Sequence, residues 1–163
     1  GGEALAQPDF ALALLREAKK RHIHTTIETC GHYPTDVLDQ ACRVLDALIF
    51  DIKCLDSARH KKATGVGSEL ILKNIGHVFE HFPDLPVLIR TPVIPGFNDT
   101  EEDILGIREM IPRKANIRYE ALTYHRMGQP KYGYLGRRYE LEGVKADEAF
   151  MKRLNIMLKS YEK

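Results

Sequence analysis

The chain of 163 residues is long enough to form one domain with a sizeable hydrophobic core. Its 24 basic and 23 acidic residues leave a net charge of +1, so the composition gives no electrostatic signature of nucleic-acid or membrane binding. No apolar run approaches the roughly 18 residues of a membrane span, and we expect neither a span nor a signal peptide. Cys30, Cys42 and Cys54 form no C-x-x-C pair, which excludes a zinc ribbon, argues against a disulfide framework and predicts a reducing cytoplasm.

The first half of the chain predicts two helices, two strands and a loop. In chain order these are a helix over residues 8–21, a strand over 23–29, a helix over 34–45, a strand over 47–53 and a polar loop over 57–67. The apolar stripe of the first helix consists of Phe10, Ala11, Leu14, Leu15 and Ala18.

The second half continues the alternation. It predicts a helix over residues 68–82, a strand over 87–91, a helix over 100–113, a strand over 117–122, a long loop over 126–143 rich in glycine and tyrosine, and a helix over 147–161. The strand over 87–91 begins with three apolar residues in a row, which is typical of strands covered on both faces. Pro92 and Pro95 lack a backbone donor, so we expect regular sheet pairing to stop there.

Strict alternation of strands and helices predicts an α/β fold with a parallel sheet and right-handed crossovers. Four strands are too few to close a barrel of eight, so the fold is part of a (β/α) barrel or a doubly wound sheet. No linker divides the chain, and we treat residues 1–163 as a single piece. Because a helix follows almost directly after Gly1-Gly2-Glu3, without an initiator methionine, we expect this piece to begin just where a strand of a longer protein ends.

Polar residues stand at the carboxyl ends of the predicted strands, where parallel α/β folds bind ligands. These residues are Glu28 and Thr29, Asp51 and Lys53, Arg90, His125, and Gly2 and Glu3 after the preceding strand. Such a rim suits a zwitterionic ligand with carboxylate, amine and ribose groups. Each residue also has a structural alternative, since a strand end can be merely solvated, an arginine can pair with a helix carboxylate, and a loop histidine can lie on the surface.

Six motifs extend this pattern in order along the chain. They are Gly1-Gly2-Glu3-Ala4-Leu5, Glu28-Thr-Cys-Gly31, Asp51-Ile-Lys53, His60-Lys-Lys-Ala-Thr-Gly65 with Ile71-Leu-Lys-Asn74, Arg90-Thr-Pro-Val-Ile-Pro-Gly-Phe-Asn-Asp99, and His125-Arg-Met-Gly-Gln-Pro-Lys-Tyr-Gly-Tyr-Leu-Gly136. Together they resemble the motifs of the radical S-adenosylmethionine activating enzymes of glycyl radical enzymes, of the pyruvate formate-lyase activating type. The resemblance implies that the chain holds the last four βα units of a partial (β/α)₆ barrel.

The resemblance also implies a role for each rim residue. Gly2 and Glu3 would contact the amino group of S-adenosylmethionine. Glu28, Thr29 and Asp51 would lie at a monovalent cation near the cofactor's carboxylate. Lys53, Arg90 and His125 would contact the cofactor or the incoming glycyl loop, with Lys53 and Arg90 as the catalytic candidates.

The family's C-x-x-x-C-x-x-C loop, which ligates a 4Fe–4S cluster, is absent from this sequence and would lie upstream of Gly1. Three cysteines spaced by twelve residues cannot replace it, so we expect the chain by itself to be inactive. In the intact protein, the resemblance implies oxidoreductase chemistry in which cleavage of S-adenosylmethionine leads to hydrogen abstraction from a glycine of a pyruvate formate-lyase-like partner. A flavodoxin or ferredoxin would supply the electron.

Two other classes of function remain open. Lys53 at a strand end could form a Schiff base in an aldolase-like enzyme. Alternatively, the segment 126–143 could make the chain a non-catalytic docking module for a peptide. Independently of function, the strand over 23–29 would present an unpaired apolar edge, which predicts dimers or aggregates.

Overall fold

The computed structural model describes residues 2–161. Along this range the elements are α1 (Pro8–Lys20), β1 (Thr26–Thr29), α2 (Thr35–Cys42), β2 (Ala47–Asp51), α3 (Ser57–Thr64), α4 (Glu69–His81), β3 (Val87–Val93), α5 (Glu101–Met110), β4 (Ile117–Thr123), α6 (Gln129–Tyr134) and α7 (Glu148–Ser160). None of the described helices is long and apolar enough to cross a membrane.

The four strands form one parallel sheet in the order β1-β2-β3-β4, so each strand pairs with the next along the chain. This arrangement confirms the predicted parallel sheet. The register places Asp51 of β2 opposite Arg90 of β3, and Arg90 opposite Glu120 of β4. All four strands point the same way, and the loops that follow them therefore meet at one edge, the carboxyl edge.

The hydrophobic core lies on one face of the sheet. Burial alternates along β3, where Val87, Ile89, Thr91 and Val93 are buried and the residues that alternate with them are only half-buried. The buried strand residues pack in two clusters with buried residues of α1, α2, α4, α5 and α7. The expectation that β3 is covered on both faces is therefore wrong within residues 2–161. The same one-sided packing of the described residues fits a portion of a barrel wall.

The strand β1 starts three residues later than predicted. His22 has a positive φ of 57°, which turns the chain after α1. The N–H of Thr25 then donates to Asp46 Oδ2 at 2.9 Å, and the Thr25 hydroxyl donates to the carbonyl of Val44 at 2.7 Å. Because these bonds hold Thr25 against the α2–β2 connection, ladder pairing begins only at Thr26.

Sheet pairing does not stop at Pro92, contrary to the prediction. Pro92 and Val93 pair with Leu122 and Thr123 of β4. Within a strand, alternate residues direct their backbone groups to the same neighbour, and the carbonyl of Arg90 accepts a bond from Ile52 on the β2 side. The nitrogen of Pro92 faces that same side, where β2 has already ended. The missing N–H therefore breaks no ladder bond.

Two short helices lie within segments predicted as loops. α3 occupies most of residues 57–67 and begins with a cap, in which Asp56 Oδ1 accepts from the N–H of Arg59 at 2.8 Å. It ends at Gly65, which has a φ of 89°. α6 occupies the first part of 126–143. Neither helix has an apolar stripe, so hydrophobic periodicity could not reveal them.

The inward face of α1 also differs from the predicted stripe. Leu12 and Leu15 are buried, whereas Phe10 and Leu14 are 68% and 57% exposed. Apolar residues occupy more than one side of this helix, so the 3.6-residue period was compatible with two different buried faces.

Candidate active site at the carboxyl edge of the sheet

Four charged side chains meet where β1, β2 and β3 end. Arg90 forms ion pairs with Glu28 and with Asp51, the latter with Nη2 3.2 Å from Oδ1. Lys53 Nζ lies 3.4 Å from the other carboxylate oxygen of Asp51. Glu28 and Arg90 belong to the sheet face opposite the helices, because their neighbours Ile27 and Ile89 are buried in the core. The structure thus brings together four of the residues that the sequence places at this rim.

The charges of this cluster balance, with two carboxylates facing two cations. Burial opposes the charge of Arg90, but the hydrogen bond to Glu28 and the charges of Asp51 and Glu28 outweigh it, so the pKa of the guanidinium lies above its ordinary value. The side chains of Asp51 and Arg90 are 16% and 19% exposed, whereas that of Glu28 is 57% exposed. Asp51–Arg90 is therefore the more enclosed pair, and Glu28 remains open to solvent.

Glu3 connects the N-terminal segment to the end of β1. Its Oε1 accepts from the hydroxyl of Thr29 at 2.7 Å and from the N–H of Leu5 at 3.1 Å. Its Oε2 accepts from the N–H of Cys30 at 2.9 Å. Burial raises the pKa of Glu3, but the hydrogen bonds from Cys30, Thr29 and Leu5 lower it by more than burial raises it. The carboxyl group therefore has a pKa below its ordinary value. Glu3 is thus an ionised acceptor held by three protein donors, and Gly2 lies exposed beside it.

Thr29 is 2% exposed and faces the core side of the sheet rather than the open face. Besides its bond to Glu3, its hydroxyl lies 2.9 Å from the hydroxyl of Tyr33 and accepts from the N–H of Gly31 at 3.0 Å. Gly31 has a φ of 72°, and a Cβ atom there would overlap the ring of Phe50. The Glu28-Thr-Cys-Gly31 motif therefore combines one exposed charge with a tightly packed turn.

Two buried asparagines hold the loops of this edge, a role that the sequence did not predict. Asn98 was expected to cap the helix over 100–113 together with Asp99 and Thr100, whereas Thr100 is the residue that caps α5. Asn74 of α4 is fully buried and donates to the carbonyls of Gly31 and Tyr33, both at 2.8 Å, while its Oδ1 accepts from Thr35. It therefore fixes the loop after β1. The available signal was a polar residue inside the apolar stripe of a helix, flanked by Ile71 and Ile75.

Asn98 performs the same task for the loops after β2 and β3. It is fully buried, and its Nδ2 donates to the carbonyl of Lys53 at 2.7 Å and to that of Pro92 at 2.9 Å. Its Oδ1 accepts from the N–H of Ile94 at 2.7 Å. Asn98 thus holds the backbone of Lys53 against the segment that carries Arg90.

The motif from His60 to Gly65 has a structural role in this chain. His60 is 3% exposed, and its Nδ1 lies 2.7 Å from the carbonyl of Val66 and 3.0 Å from the hydroxyl of Thr64. These contacts join His60, within α3, to the residues at and just after the C-terminal end of the same helix. His60 therefore stabilises the loop after α3.

His125 lies apart from the charged cluster. It follows β4, is exposed, and lines a groove of about 400 Å³ with Thr123, Arg126 and Glu148. Among the described residues, no hydrogen bond or ion pair joins it to Asp51, the cluster's central carboxylate. The structure therefore places His125 on the same edge, two strands away from β2, without a contact that assigns its role.

The cysteines do not form a metal centre within residues 2–161. Cys42 and Cys54 are buried, Cys30 is half-buried, and all three are free thiols. Burial raises the pKa of Cys42 to about 12, and burial together with Glu3 raises that of Cys30. In that part of the chain, no three His, Cys, Asp or Glu side chains are grouped so that they could hold a metal ion.

Comparison with known proteins defines the class to which this sheet and rim belong. The profile of the radical SAM superfamily matches residues 1–107. The chain therefore belongs to the radical SAM superfamily, which confirms the class predicted from the motifs.

Curated proteins that resemble this chain are activating enzymes. All 163 residues align with the (2S)-3-sulfopropanediol sulfolyase activating enzyme of Bilophila wadsworthia (strain 3_1_6) at 99% identity. The alignment covers 54% of that enzyme's length. A second relative, the isethionate sulfite-lyase activating enzyme of Nitratidesulfovibrio vulgaris, is 47% identical over 158 aligned residues. That alignment covers 97% of this chain and 51% of the relative. The chain thus spans about half the length of the curated relatives that it matches.

Solved structures show the same fold. A domain of a pyruvate-formate lyase-activating enzyme from Bacteroides vulgatus ATCC 8482 superposes with a TM-score of 0.75 at 27% identity, over 99% of this chain and 91% of that one. Streptococcus suis SuiB superposes with a TM-score of 0.73 at 20% identity, over 99% of this chain and 35% of that one. The partial-barrel fold predicted from the sequence agrees with these matches.

Proposed function

We propose that the whole protein activates (2S)-3-sulfopropanediol sulfolyase by generating a glycyl radical on it. The observation that carries this proposal is the 99% identity to the activating enzyme of that name, over every residue of this chain. The balanced cluster around Arg90 supports it, because a rim with both carboxylates and cations suits a zwitterionic cofactor. In this family S-adenosylmethionine, with a 4Fe–4S cluster, supplies the radical that takes hydrogen from the glycine.

The residues of this chain fit the amino-acid portion of S-adenosylmethionine. Lys53 and Arg90 offer cations to its carboxylate, and Glu28 offers an exposed carboxylate to its ammonium group. The carboxylate of Glu3 accepts hydrogen bonds from Leu5, Thr29 and Cys30, which anchor the N-terminal segment to the end of β1. We therefore assign to Glu3 the role of holding the adjacent backbone of Gly2 at the rim, where that backbone can bind the cofactor. His125 completes the proposed set from the end of β4.

The residues of this chain do not fit the 4Fe–4S cluster. Iron ligation requires thiolates, whereas burial raises the pKa of Cys30 and Cys42. The three cysteines also lie on separate segments, after β1, in α2 and after β2. The cluster therefore belongs, in this proposal, to residues outside the 163 of this chain, and no step of the reaction is assigned to these cysteines.

The proposed monovalent cation would lie near Glu28, Thr29 and Asp51. In the structure the guanidinium of Arg90 stands between the carboxylates of Glu28 and Asp51 and already neutralises them. A bound cation would therefore have to share or replace Arg90 at these oxygens. Cation binding stays a prediction, as do the flavodoxin or ferredoxin electron donor and the cytoplasmic location.

Glycyl radical formation on the sulfolyase tests the proposal. The full-length protein is reconstituted anaerobically with iron and sulfide, reduced, and mixed with S-adenosylmethionine and purified (2S)-3-sulfopropanediol sulfolyase. We expect an electron paramagnetic resonance signal of a glycyl radical on the sulfolyase, and none when S-adenosylmethionine is omitted. A protein that contains the cluster yet gives no such signal would contradict the proposal.

An aldolase-like function through Lys53 is less well supported. A Schiff-base lysine has to be free to attack a carbonyl group, whereas Nζ of Lys53 is engaged in an ion pair, 3.4 Å from a carboxylate oxygen of Asp51. Borohydride trapping of a carbonyl substrate on Lys53 would support this rival.

A further inference from the structure

The segment that follows His125 carries a concentrated positive charge. Residues 126–139 contain four basic side chains and no acidic one, whereas the whole chain has a net charge of only +1. The basic residues are Arg126, Lys131, Arg137 and Arg138, and all four are exposed. We call the exposed side chains of residues 126–139 the α6 patch. Its charge stands apart from the nearly neutral composition of the chain.

The cations of the α6 patch have no ionic partner within residues 2–161. Elsewhere in that range Arg21, Arg43, Arg59 and Arg90 pair with carboxylates, whereas single arginines such as Arg118 do not. The α6 patch differs in bringing four such cations together within fourteen residues. None of the ten ion pairs formed by the described residues includes a basic residue of the α6 patch.

Glu140 and Glu142 follow the patch directly, and Glu142 lines a groove with Arg137 and Arg138, but neither forms an ion pair with the patch. Four basic and two acidic residues leave residues 126–142 with a net charge of +2, so the surface stays positive.

Exposed apolar groups accompany these cations. Met127 is 75% exposed, Tyr134 is 86% exposed and Leu135 is 68% exposed. Tyrosine, methionine and arginine are the residue types enriched in protein–protein interfaces, and Tyr and Arg dominate binding hot spots. The α6 patch thus has both components of such an interface, with apolar anchors beside positive charges.

The patch is built on a folded framework. The rings of Tyr132 and Tyr139 pack edge to face at 5.0 Å, and the hydroxyl of Tyr139 is hydrogen-bonded to that of Tyr124 at the end of β4. The N–H of Arg137 donates to the carbonyl of Tyr132 at 2.8 Å, which folds the chain back onto α6. Arg137 and Arg138 border a groove of about 560 Å³. Binding would therefore require little ordering of the backbone.

The position of the patch, next to the candidate active site, indicates which kind of partner would contact it. The segment continues directly from β4 through His125, so it lies at the same carboxyl edge as Arg90 and Lys53. A protein that delivers a backbone glycine to this edge has to rest on the surfaces around it. We propose that the α6 patch docks an acidic surface segment of the glycyl radical enzyme, (2S)-3-sulfopropanediol sulfolyase. This inference rests on the proposed function for the identity of the partner and adds the surface and its charge.

Binding of the full-length protein to purified sulfolyase tests the inference, measured anaerobically by biolayer interferometry with S-adenosylmethionine present. The test variant carries Arg137→Glu and Arg138→Glu, and we expect about tenfold weaker binding with a flatter dependence on salt. The matched control carries Lys73→Glu and Lys152→Glu, which change the net charge equally at exposed positions on α4 and α7. We expect its affinity to stay within about twofold of the parent.

A third variant, Tyr134→Ala, tests the apolar component at a side chain that is 86% exposed, and we expect about threefold weaker binding. The melting temperature of every variant verifies folding. Equal affinity of parent and Arg137→Glu/Arg138→Glu protein, or equal weakening by the control pair, would overturn the inference. A parent protein that neither binds nor activates the sulfolyase would instead overturn the proposed function.

Discussion

Asp51 and Arg90 lie opposite each other on β2 and β3 and form the most enclosed ion pair of the carboxyl edge, with Nη2 3.2 Å from Oδ1. The register of the sheet, rather than loop geometry, sets their distance. Lys53 and Glu28 extend the pair on either side, so that each ion has an opposite charge as neighbour. A zwitterionic ligand can exchange partners with such a cluster without leaving a buried charge unpaired.

Replacing Arg90 tests whether this cluster binds S-adenosylmethionine. In Arg90→Lys the positive charge stays, but an ammonium cannot reach Glu28 and Asp51 with the planar, forked geometry of a guanidinium. We expect about tenfold weaker binding of S-adenosylmethionine, measured by calorimetry on the reconstituted full-length protein. The control is Arg118→Lys, an exposed arginine that β4 places on the same sheet face, opposite Leu88. Equal affinities for the two variants would argue against a role of Arg90 in the site.

Glu3 predicts a pH dependence of stability. Because its folded pKa lies below the ordinary value of 4.5, the ionised carboxylate stabilises the fold above that value, and this contribution is lost as the pH falls through the folded pKa. The neutral variant Glu3→Gln should lose about 1–2 kcal/mol of unfolding free energy at pH 7 and much less at pH 3. Urea unfolding at both values measures the difference. A variant whose deficit is the same at pH 3 would show that ionisation of Glu3 is not the cause.

The sequence predicts those features of the fold that repeat along the chain. Alternating apolar segments gave the parallel sheet, and charges at strand ends gave Asp51, Lys53 and Arg90 as neighbours. α3 was missed because Asp56 and Gly65 define it through capping rather than through an apolar stripe. Contacts between distant segments leave no periodic signal.

The roles of individual motif residues were the least predictable part of the site. The motif predicts that Glu3 contacts a ligand. In the folded chain its carboxylate accepts hydrogen bonds from three donors of the protein itself. Asn74 and Asn98 stand within the motifs, but only the fold reveals the carbonyls that each one holds. A polar residue in an apolar stripe marks such a position without identifying its partner.

Two glycines form a matched pair for a backbone test. Gly31 has a φ of 72°, and an added Cβ atom would overlap the ring of Phe50, so Gly31→Ala should lower the unfolding free energy by about 3 kcal/mol. Gly76 lies in the interior of α4 with open space around its Cα, so Gly76→Ala should raise it by about 0.5–1 kcal/mol. Thermal and urea unfolding measure both effects. Opposite signs are expected, and a stabilising Gly31→Ala would contradict the tight turn at the end of β1.

The edge of the sheet formed by β1 predicts self-association of this chain. β1 pairs only with β2 within the described residues, which leaves backbone groups of Thr26–Thr29 open on the other side. We expect dimers at tens of micromolar, measured by sedimentation velocity across a wide concentration range. The carbonyl of Thr25 faces β2, so the N–H of Thr26 faces the open edge, and Thr26→Pro would remove a donor from that edge. The control Thr26→Val keeps this N–H. A chain that stays monomeric at every concentration would count against association through this edge.

Removing the side chain of Asn98 should destabilise the fold and loosen the backbone of Lys53, to which Asn98 donates a hydrogen bond. In Asn98→Ala the carbonyls of Lys53 and Pro92 and the N–H of Ile94 lose their partner in a fully buried position. We expect a loss of about 3 kcal/mol in unfolding free energy, because buried polar groups without partners are costly. Asn155→Ala, at an exposed position of α7, should change it by no more than about 0.5 kcal/mol. Chemical denaturation gives both values, and hydrogen exchange should show faster exchange at residues 53–56 in Asn98→Ala alone. Unchanged exchange in that loop would mean that Asn98 stabilises the fold without positioning Lys53.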